Sequence, residues 1–356
     1  MRIAFVTKRY YTNQDLIEER FGRLFHLPVA LAASGHEVMV VAVDYRSALD
    51  SESADVAGVR FVSLPLKGRA FLRFWSRLRS HVDAFEPDVV VGSSDTHFGW
   101  MAARLAKRAR ILFVFDLYDN YLAFASRRVP GFEHLFRRVV AAADLVTVVS
   151  QPLVDMVSPH ASSVAEIANG VDRNLFHPLH RDEARSFAGL ENHGDLVGYV
   201  GSIEPERGIE ELIEAVDRIR SEGHDVDLVL AGTNKLGGNW AADWVHYLGR
   251  LPQDRIPAVI NSCNIVVLPY LSDDWGRYTY PNKLAEYVAC GVPVVATNLP
   301  QFAAVLDDRS LCRPGDAAAM AAAIAGQLSN PSGADPQRVS SWEEIAATLA
   351  AELEHL

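Results

Sequence analysis

Residues 280–297 read YPNKLAEYVACGVPVVAT, and this stretch decides how the second half of the chain is built. Pro281 suits the first turn of a helix, where its missing N–H is no loss. Asn282 and Lys283 then fall at the helix N-terminus, where unpaired N–H groups and a cation favour a diphosphate. Glu286 follows one turn later on the same side. A carboxylate there can accept two hydrogen bonds from vicinal hydroxyls, as on a ribose. Gly291 stops the helix before the next buried strand. Taken singly, Lys283 and Glu286 fit equally well as an i,i+3 pair on a solvated surface.

Outward from this stretch, short β-branched runs alternate with amphipathic helical patterns in both directions. The pattern predicts strands at 2–6, 37–43, 59–64, 88–92, 111–115, 145–150 and 164–167 in the first half. In the second half it predicts 196–201, 226–231, 245–248, 265–269 and 292–296. Runs such as VVV and IVVLP are apolar throughout, as in a parallel sheet covered by helices on both faces. Two such series predict an α/β protein of two doubly wound, Rossmann-like domains. The expected boundaries are 1–175 and 176–337, with the junction in NGVDRNLFHPLHRDEAR and a last helix within 338–356 packing back on the first domain.

Ligands of open parallel sheets bind outside the carboxyl ends of the strands. There the segment GYVGSIEPER (198–207) ends a strand, turns through Pro205 and starts a helix, which puts Arg207 beside exposed N–H groups. Gly201, Ser202 and Gly232 lie at the same strand ends. Alone, this segment reads more readily as an ordinary strand–helix turn with a solvated Arg.

Composition narrows the classes. A chain of 356 residues accommodates two ordinary domains, and no apolar run approaches the length of a membrane span. The first residues, MRIAFVTKRYYTNQD, have no secretory core, and Cys263, Cys290 and Cys312 form no CxxC pair. A reducing cytoplasm is the expected setting. Residues 1–178 carry 21 Lys+Arg against 19 Asp+Glu, whereas residues 179–356 carry 13 against 26. The acidic total argues against nucleic acid as a partner. One basic stretch stands out, KGRAFLRFWSRLR at 67–79, in which Phe71, Phe74, Trp75 and Leu78 share a helical face opposite Arg69, Arg73 and Arg77. It suits peripheral contact with the inner face of an anionic membrane, or a helix packed on the sheet with its basic face in water. The pair Asp225-x-Asp227 precedes a buried strand instead of following one, and no metal site is expected.

The chain resembles the GT-B glycosyltransferases, specifically the retaining glycosyltransferase family 4. The resemblance rests on NGVDRNLFHP, GYVGSIEPERGIEELIEA, and VHYLGRLPQDRIPAVINSCNIVVLPY followed by YPNKLAEYVACGVPVVATNLP, in that order. It implies two Rossmann-like domains facing across a cleft, a nucleoside diphosphate sugar of UDP or GDP type as donor, and a saccharide or lipid-linked acceptor, as in bacterial polysaccharide or glycolipid assembly. No cofactor or metal is implied. The donor residues it implies are Gly201, Ser202, Arg207, Gly232, Arg250, Leu251, Tyr280, Pro281, Asn282, Lys283 and Glu286. Arg207 takes the diphosphate, Glu286 the ribose, and Arg250 and Leu251 lie near the base. Ser202 replaces a common Arg, and Tyr278 replaces the first glutamate of the family's E-x7-E pattern, for which Asp273 or Asp274 is a substitute.

The acceptor half is less marked. After the strand at 111–115 comes DLYDNY, where the family often has a catalytic His. Asp116 and Asp119 are the candidates to face the reacting sugar, with helix capping the plainer role for either. Arg20 and Gly22 before the first long helix, and His97 after the strand at 88–92, complete the candidate acceptor residues. Two other readings keep the fold: a sugar-nucleotide epimerase, and a non-catalytic sugar-nucleotide subunit or sensor.

Overall fold

The computed structural model describes residues 1–11, 14–47, 52–123, 130–191, 193–237, 242–273 and 275–356. Asp274 lies outside the described residues. The chain forms two compact units. One comprises Met1–Gly170, Tyr278–Tyr280 and Trp342–Leu356, the other Val171–Arg277 and Pro281–Ser341.

In the first unit the strands are β1 (Arg2–Lys8), β2 (Tyr10–Tyr11), β3 (Gln14–Asp15), β4 (Glu37–Asp44), β5 (Glu52–Val56), β6 (Val59–Pro65), β7 (Val89–Ser93), β8 (Leu112–Leu117), β9 (Leu145–Val148) and β10 (Val164–Glu166). Its helices are α1 (Arg23–Ala33), α2 (Ala70–Phe85), α3 (Thr96–Ala109), α4 (Phe132–Ala142) and α5 (Gln151–Val157). The sheet order is β10-β9-β8-β7-β1-β4-β6-β5, parallel except for β5. Ile3, Val40, Val90 and Val114 on its central strands are fully buried, as strands covered on both faces require. The order reverses between β1 and β7, so a crevice opens at their carboxyl ends.

The second unit has β11 (Asp195–Val200), β12 (Val226–Ala231), β13 (Val245–Tyr247), β14 (Ile265–Leu268), β15 (Val294–Thr297) and β16 (Leu311–Cys312). Its helices are α6 (Arg181–Ala188), α7 (Ile209–Ser221), α8 (Ile256–Ser262), α9 (Asn282–Ala289), α10 (Pro300–Ala303) and α11 (Ala317–Ser329). The order β13-β12-β11-β14-β15-β16 reverses between β11 and β14. The final helix, α12 (Trp342–Glu354), belongs to the first unit, where Trp342 stacks on His26 of α1 at 5.5 Å.

Three features depart from the sequence pattern. The hairpin β2–β3, the edge strand β5 and the two-residue β16 have no apolar alternation to announce them; they exist because a neighbour supplies the hydrogen bonds. On α2, Phe74 and Leu78 are buried but Phe71 is 65% exposed, so the apolar face is turned from the one expected and continues to Val82 and Phe85. Strand β8 runs on through Leu117, which places Asp116 inside the sheet and not in the loop after it.

Asp116 there lies between Ser93 and Thr147 of the neighbouring strands. Ser93 and Thr147 donate to its two oxygens at 2.5 and 2.8 Å, and Arg23 from α1 donates at 2.8 to 3.1 Å. Arg23 is itself buried, and its Nη1 also donates to the carbonyls of Ile167 and Ala168 at 2.9 Å. Burial alone would raise the Asp116 carboxyl, but Arg23 and the two hydroxyls outweigh it and hold the group below its ordinary value. Arg23→Met leaves that carboxylate buried and uncompensated. The expected loss is about 3–5 kcal/mol in urea unfolding, with partial recovery in Arg23→Met/Asp116→Asn.

Candidate active site

The carboxyl ends of β11 and β14 bring the donor candidates together. After β11 the chain passes Gly201 and Ser202 and returns through a single 3₁₀ turn, Pro205–Arg207, to α7. Close approach fixes two glycines here. A Cβ on Gly201 would stand 2.0 Å from Lys283 Nζ, and one on Gly208 would stand 2.0 Å from the Pro269 carbonyl. Helix α9 begins at Asn282 with Pro281 in extended conformation as its N-cap, one residue earlier than expected for a proline within the first turn. Tyr287 of α9 anchors it to β11, its hydroxyl accepting from the Val200 N–H at 2.7 Å.

Two cations result, side by side and largely enclosed. The Arg207 guanidinium lies 3.7 Å from the Trp275 ring centre and 5.0 Å from that of Tyr270. Lys283 Nζ donates to the Tyr199 hydroxyl at 2.9 Å and lies 4.4 Å from the Tyr199 ring centre. Aromatic faces stabilise a desolvated cation without neutralising it. The Glu204 carboxylate is 3.7 Å from Arg207 and is also paired with Lys235. Burial raises the Tyr270 phenol, yet Arg207 and Lys283 together outweigh burial and pull it below its ordinary value. Its hydroxyl, Arg207 Nε and Asn282 Oδ1 are buried with no hydrogen-bond partner among the described residues. An anion with several acceptor oxygens matches this combination.

Glu286 faces no cation directly: Lys283 is turned to Tyr199, which removes the i,i+3 surface pair. Burial pushes the Glu286 carboxyl up to about 7, against the pull of Lys283. At the carboxyl ends of the strands, Gly201 N–H donates to the Ala231 carbonyl and Gly232 N–H to the Gly249 carbonyl, both at 2.7 Å. Arg250 and Leu251 follow Gly249, Arg250 exposed and Leu251 half-buried. The Ser202 carbonyl accepts from the Tyr199 hydroxyl at 2.8 Å, so that residue serves by its backbone.

Several candidates lie elsewhere. The ring of Tyr280 packs on the core of the first unit, as does Tyr278, and the Tyr280 carbonyl accepts from Asn169 at 2.7 Å. Tyr280 therefore contributes no side chain to the donor residues. Asp273 spends one carboxylate oxygen on the N–H groups of Trp275 and Gly276, shaping the loop that carries Trp275. Asp116 is a structural carboxylate, saturated by Arg23, Ser93 and Thr147, which withdraws it from facing a sugar.

In the first unit, the crevice at β1 and β7 gathers groups the sequence reading passed over. Lys8 Nζ lies within 6 Å of the ring centres of Tyr11, Tyr118 and Tyr121 and 3.4 Å from Asp95. Ser94, buried with φ of 99°, is strained for a serine and accepts from the Tyr118 hydroxyl at 3.0 Å. Its position directly after a buried strand is the signal that would have found this cluster. Asp119 is half-buried two residues after β8, and His97 is exposed on the first turn of α3. Arg20 is exposed with φ of 52°, and Gly22 is the N-cap of α1.

Comparison with known proteins agrees with this architecture. Residues 194–330 match the model for glycosyl transferases group 1, and residues 23–170 match that for a glycosyl transferase 4-like domain. A phosphatidyl-myo-inositol mannosyltransferase of Propionibacterium freudenreichii is 31% identical over 59% of the chain, a match that spans 52% of that protein. A glycogen synthase of Mycobacterium tuberculosis is 24% identical over 98% of the chain and 94% of its own length. Among solved structures, sucrose-phosphate synthase of Thermosynechococcus elongatus superposes with a TM-score of 0.79 at 19% identity, over 99% of this chain and 98% of that one. Anabaena HepE in complex with UDP-glucose gives 0.74 at 18% identity over the full length of both. With two such domains in series and the GT-B fold throughout, the chain belongs to the glycosyltransferases of the family 4 type.

Proposed function

We propose that the chain transfers a sugar from a nucleoside diphosphate sugar to a hydroxyl of a saccharide or lipid-linked acceptor, with retention and without a catalytic metal. The observation that carries this reading is the enclosed pair Arg207 and Lys283, held at a topological switch point by aromatic rings. As the bond from the anomeric carbon to the diphosphate breaks, charge accumulates on the leaving phosphate oxygens. Preformed cations in a partly dehydrated site stabilise that charge without reorganising. They supply at the diphosphate the positive charge for which a metal ion is otherwise used. Retention is the course the resemblance to family 4 implies. The acceptor oxygen bonds to the anomeric carbon on the face the diphosphate leaves, and its proton passes to the departing phosphate.

The Glu286 carboxylate is proposed to accept the two ribose hydroxyls, and the region of Arg250 and Leu251 to receive the base. A UDP-type donor is supported by the HepE complexes, and a GDP-type donor by a GDP-mannose-dependent alpha-mannosyltransferase, 24% identical over 88% of the chain. The acceptor is assigned to the crevice of the first unit, where Lys8 and the half-buried ring of Tyr11 lie at the end of β1, together with Asp119, His97, Arg20 and Gly22. The mannosyltransferase relatives support an acceptor in bacterial polysaccharide or glycolipid assembly.

Among the described residues no helix is long and apolar enough to cross a membrane. Peripheral contact at the inner face of the cell membrane is proposed through α2 and the residues before it. Phe71 and Leu72 are 65% and 83% exposed beside Arg69 and Arg73, and Arg104 stacks on Trp100 at 5.1 Å. Each cation at an anionic surface contributes about 1 kcal/mol.

Incubated with UDP-, GDP- and dTDP-sugars and a lipid extract, the protein gives an α-configured product from an α-configured donor, undiminished by EDTA. In that assay Arg207→Ala lowers kcat/KM by about 100-fold or more, as loss of a transition-state donor does; unchanged turnover would refute the assignment. Donor affinity, read by calorimetry, falls as pH drops through about 7 because Glu286 protonates, and Glu286→Gln abolishes that dependence. The raised carboxyl means the ionised form burdens the fold, so the ligand-free protein loses stability as pH rises from about 4.5 to 7. Glu286→Gln should then be more stable than the parent at pH 8, on the order of 1–2 kcal/mol, and not at pH 4.5. Sedimentation with phosphatidylglycerol-containing vesicles should pellet the parent and release Phe71→Ser/Leu72→Ser; equal pelleting of both would remove α2 from the membrane contact.

A further inference from the structure

The other end of the second sheet holds a separate cluster. His193, in the connection between α6 and β11, Asp227, the second residue of β12, and His246, in the middle of the edge strand β13, converge from three segments. His193 Nδ1 and His246 Nε2 each lie 2.9 Å from the same atom, Asp227 Oδ2. The two imidazole centres are 4.2 Å apart. One ligand atom from each of the three residues falls within 4.8 Å of the others. The second carboxylate oxygen, Oδ1, accepts from Arg220 at 2.9 Å, and Arg220 also donates to the Val226 carbonyl at 2.6 Å.

We propose that His193, Asp227 and His246 form a binding site for one divalent transition-metal ion, zinc being the natural probe. Two imidazoles and a carboxylate are a ligand set that Zn²⁺ binds at about 2.0–2.2 Å, with water in the fourth position. The side chains are 27%, 16% and 21% exposed, which leaves solvent access for that water and for entry of the ion. In these hydrogen bonds Nδ1 of His193 and Nε2 of His246 carry their protons towards the Asp227 carboxylate. Moving each proton to the other ring nitrogen frees both lone pairs with no net change in charge. Arg220 then holds the carboxylate from behind, the outer-shell contact that ligating carboxylates keep.

The position fixes the role. Asp227 is the second residue of β12, whereas the proposed donor residues Gly201 and Gly232 follow the carboxyl ends of β11 and β12, so the ion stands towards the amino ends of the strands, away from the proposed diphosphate position. It would fasten the three-residue edge strand β13, which pairs on one side only, to β12 and to the chain entering β11. The D-x-D pattern in the sequence is not the unit: Asp225 turns towards Gly194, and the partners of Asp227 are 34 and 19 positions away. The site does not rest on the donor reading, and its test reads ion binding and not sugar transfer.

The experiment uses untagged protein stripped with EDTA and then freed of the chelator. Co²⁺ titration should give the visible absorption of a low-symmetry four-coordinate site, saturating at one ion per chain and displaced by Zn²⁺. Zn²⁺ at about a hundred times its Kd should raise Tm by roughly 5 °C or more. His193→Ala and His246→Ala should each weaken binding by at least about 100-fold. His246→Gln, which can still donate to Asp227, should keep the fold by circular dichroism yet lose the ion. The proposal is overturned by absence of stoichiometric binding to the parent, or by binding that persists in His193→Ala/His246→Ala.

Discussion

Two cations held side by side, with Glu204 beside Arg207 but shared with Lys235, are what the second unit is arranged around. Arg207 and Lys283 repel each other, and water would ordinarily separate them. Here the carboxyl ends of β11 and β14 press them together, and Tyr199, Tyr270 and Trp275 give them π-faces in place of solvent. The glycines follow from that crowding, since Gly201 lies where any side chain would strike Lys283 Nζ. So does the lowered phenol of Tyr270, the nearest group able to respond to the uncompensated charge. An anion with several acceptor oxygens matches the arrangement.

The first unit handles a buried charge in the opposite way. Arg23 and Asp116 are both deeply buried, and they are matched by each other, by Ser93 and Thr147, and by the carbonyls of Ile167 and Ala168. A saturated buried pair fixes geometry and has nothing left for a substrate. It ties α1 to β8 and to the residues after β10, and so aligns the carboxyl ends at which the Lys8 and tyrosine cluster stands. Whether a buried charge is matched or left open thus separates the structural carboxylate Asp116 from the open groups Arg207, Lys283 and Glu286.

Much of the fold was legible along the chain because parallel strands buried on both faces leave continuous apolar runs. Strands such as β4, β7, β12 and β14 announce themselves in VMVVAV, VVV, VDLVLA and IVVL. The hairpin β2–β3 and the strand β16 do not, because their hydrogen bonds come from neighbours and not from local preference. The positions of Arg207 and Lys283 were legible too, at the turn before α7 and at the start of α9. Asp116 was misplaced for a definite reason: its strand ends two residues beyond its apolar run, and a carboxylate inside a sheet looks, in sequence, like one just past its end.

By itself the sequence determined the elements and their ends, because burial on both faces and helix-start chemistry act within a few residues of the chain. It therefore carried the two α/β series and the pairing of Arg207 with the start of α9. The tertiary structure alone decided which charges are left unmatched. Tyr270 and Trp275 become walls around Arg207, Tyr280 turns to the other unit, and His193, Asp227 and His246 meet at one oxygen. Those outcomes depend on which strands lie side by side, and electrostatic neighbours across a sheet leave no period in the chain that forms it.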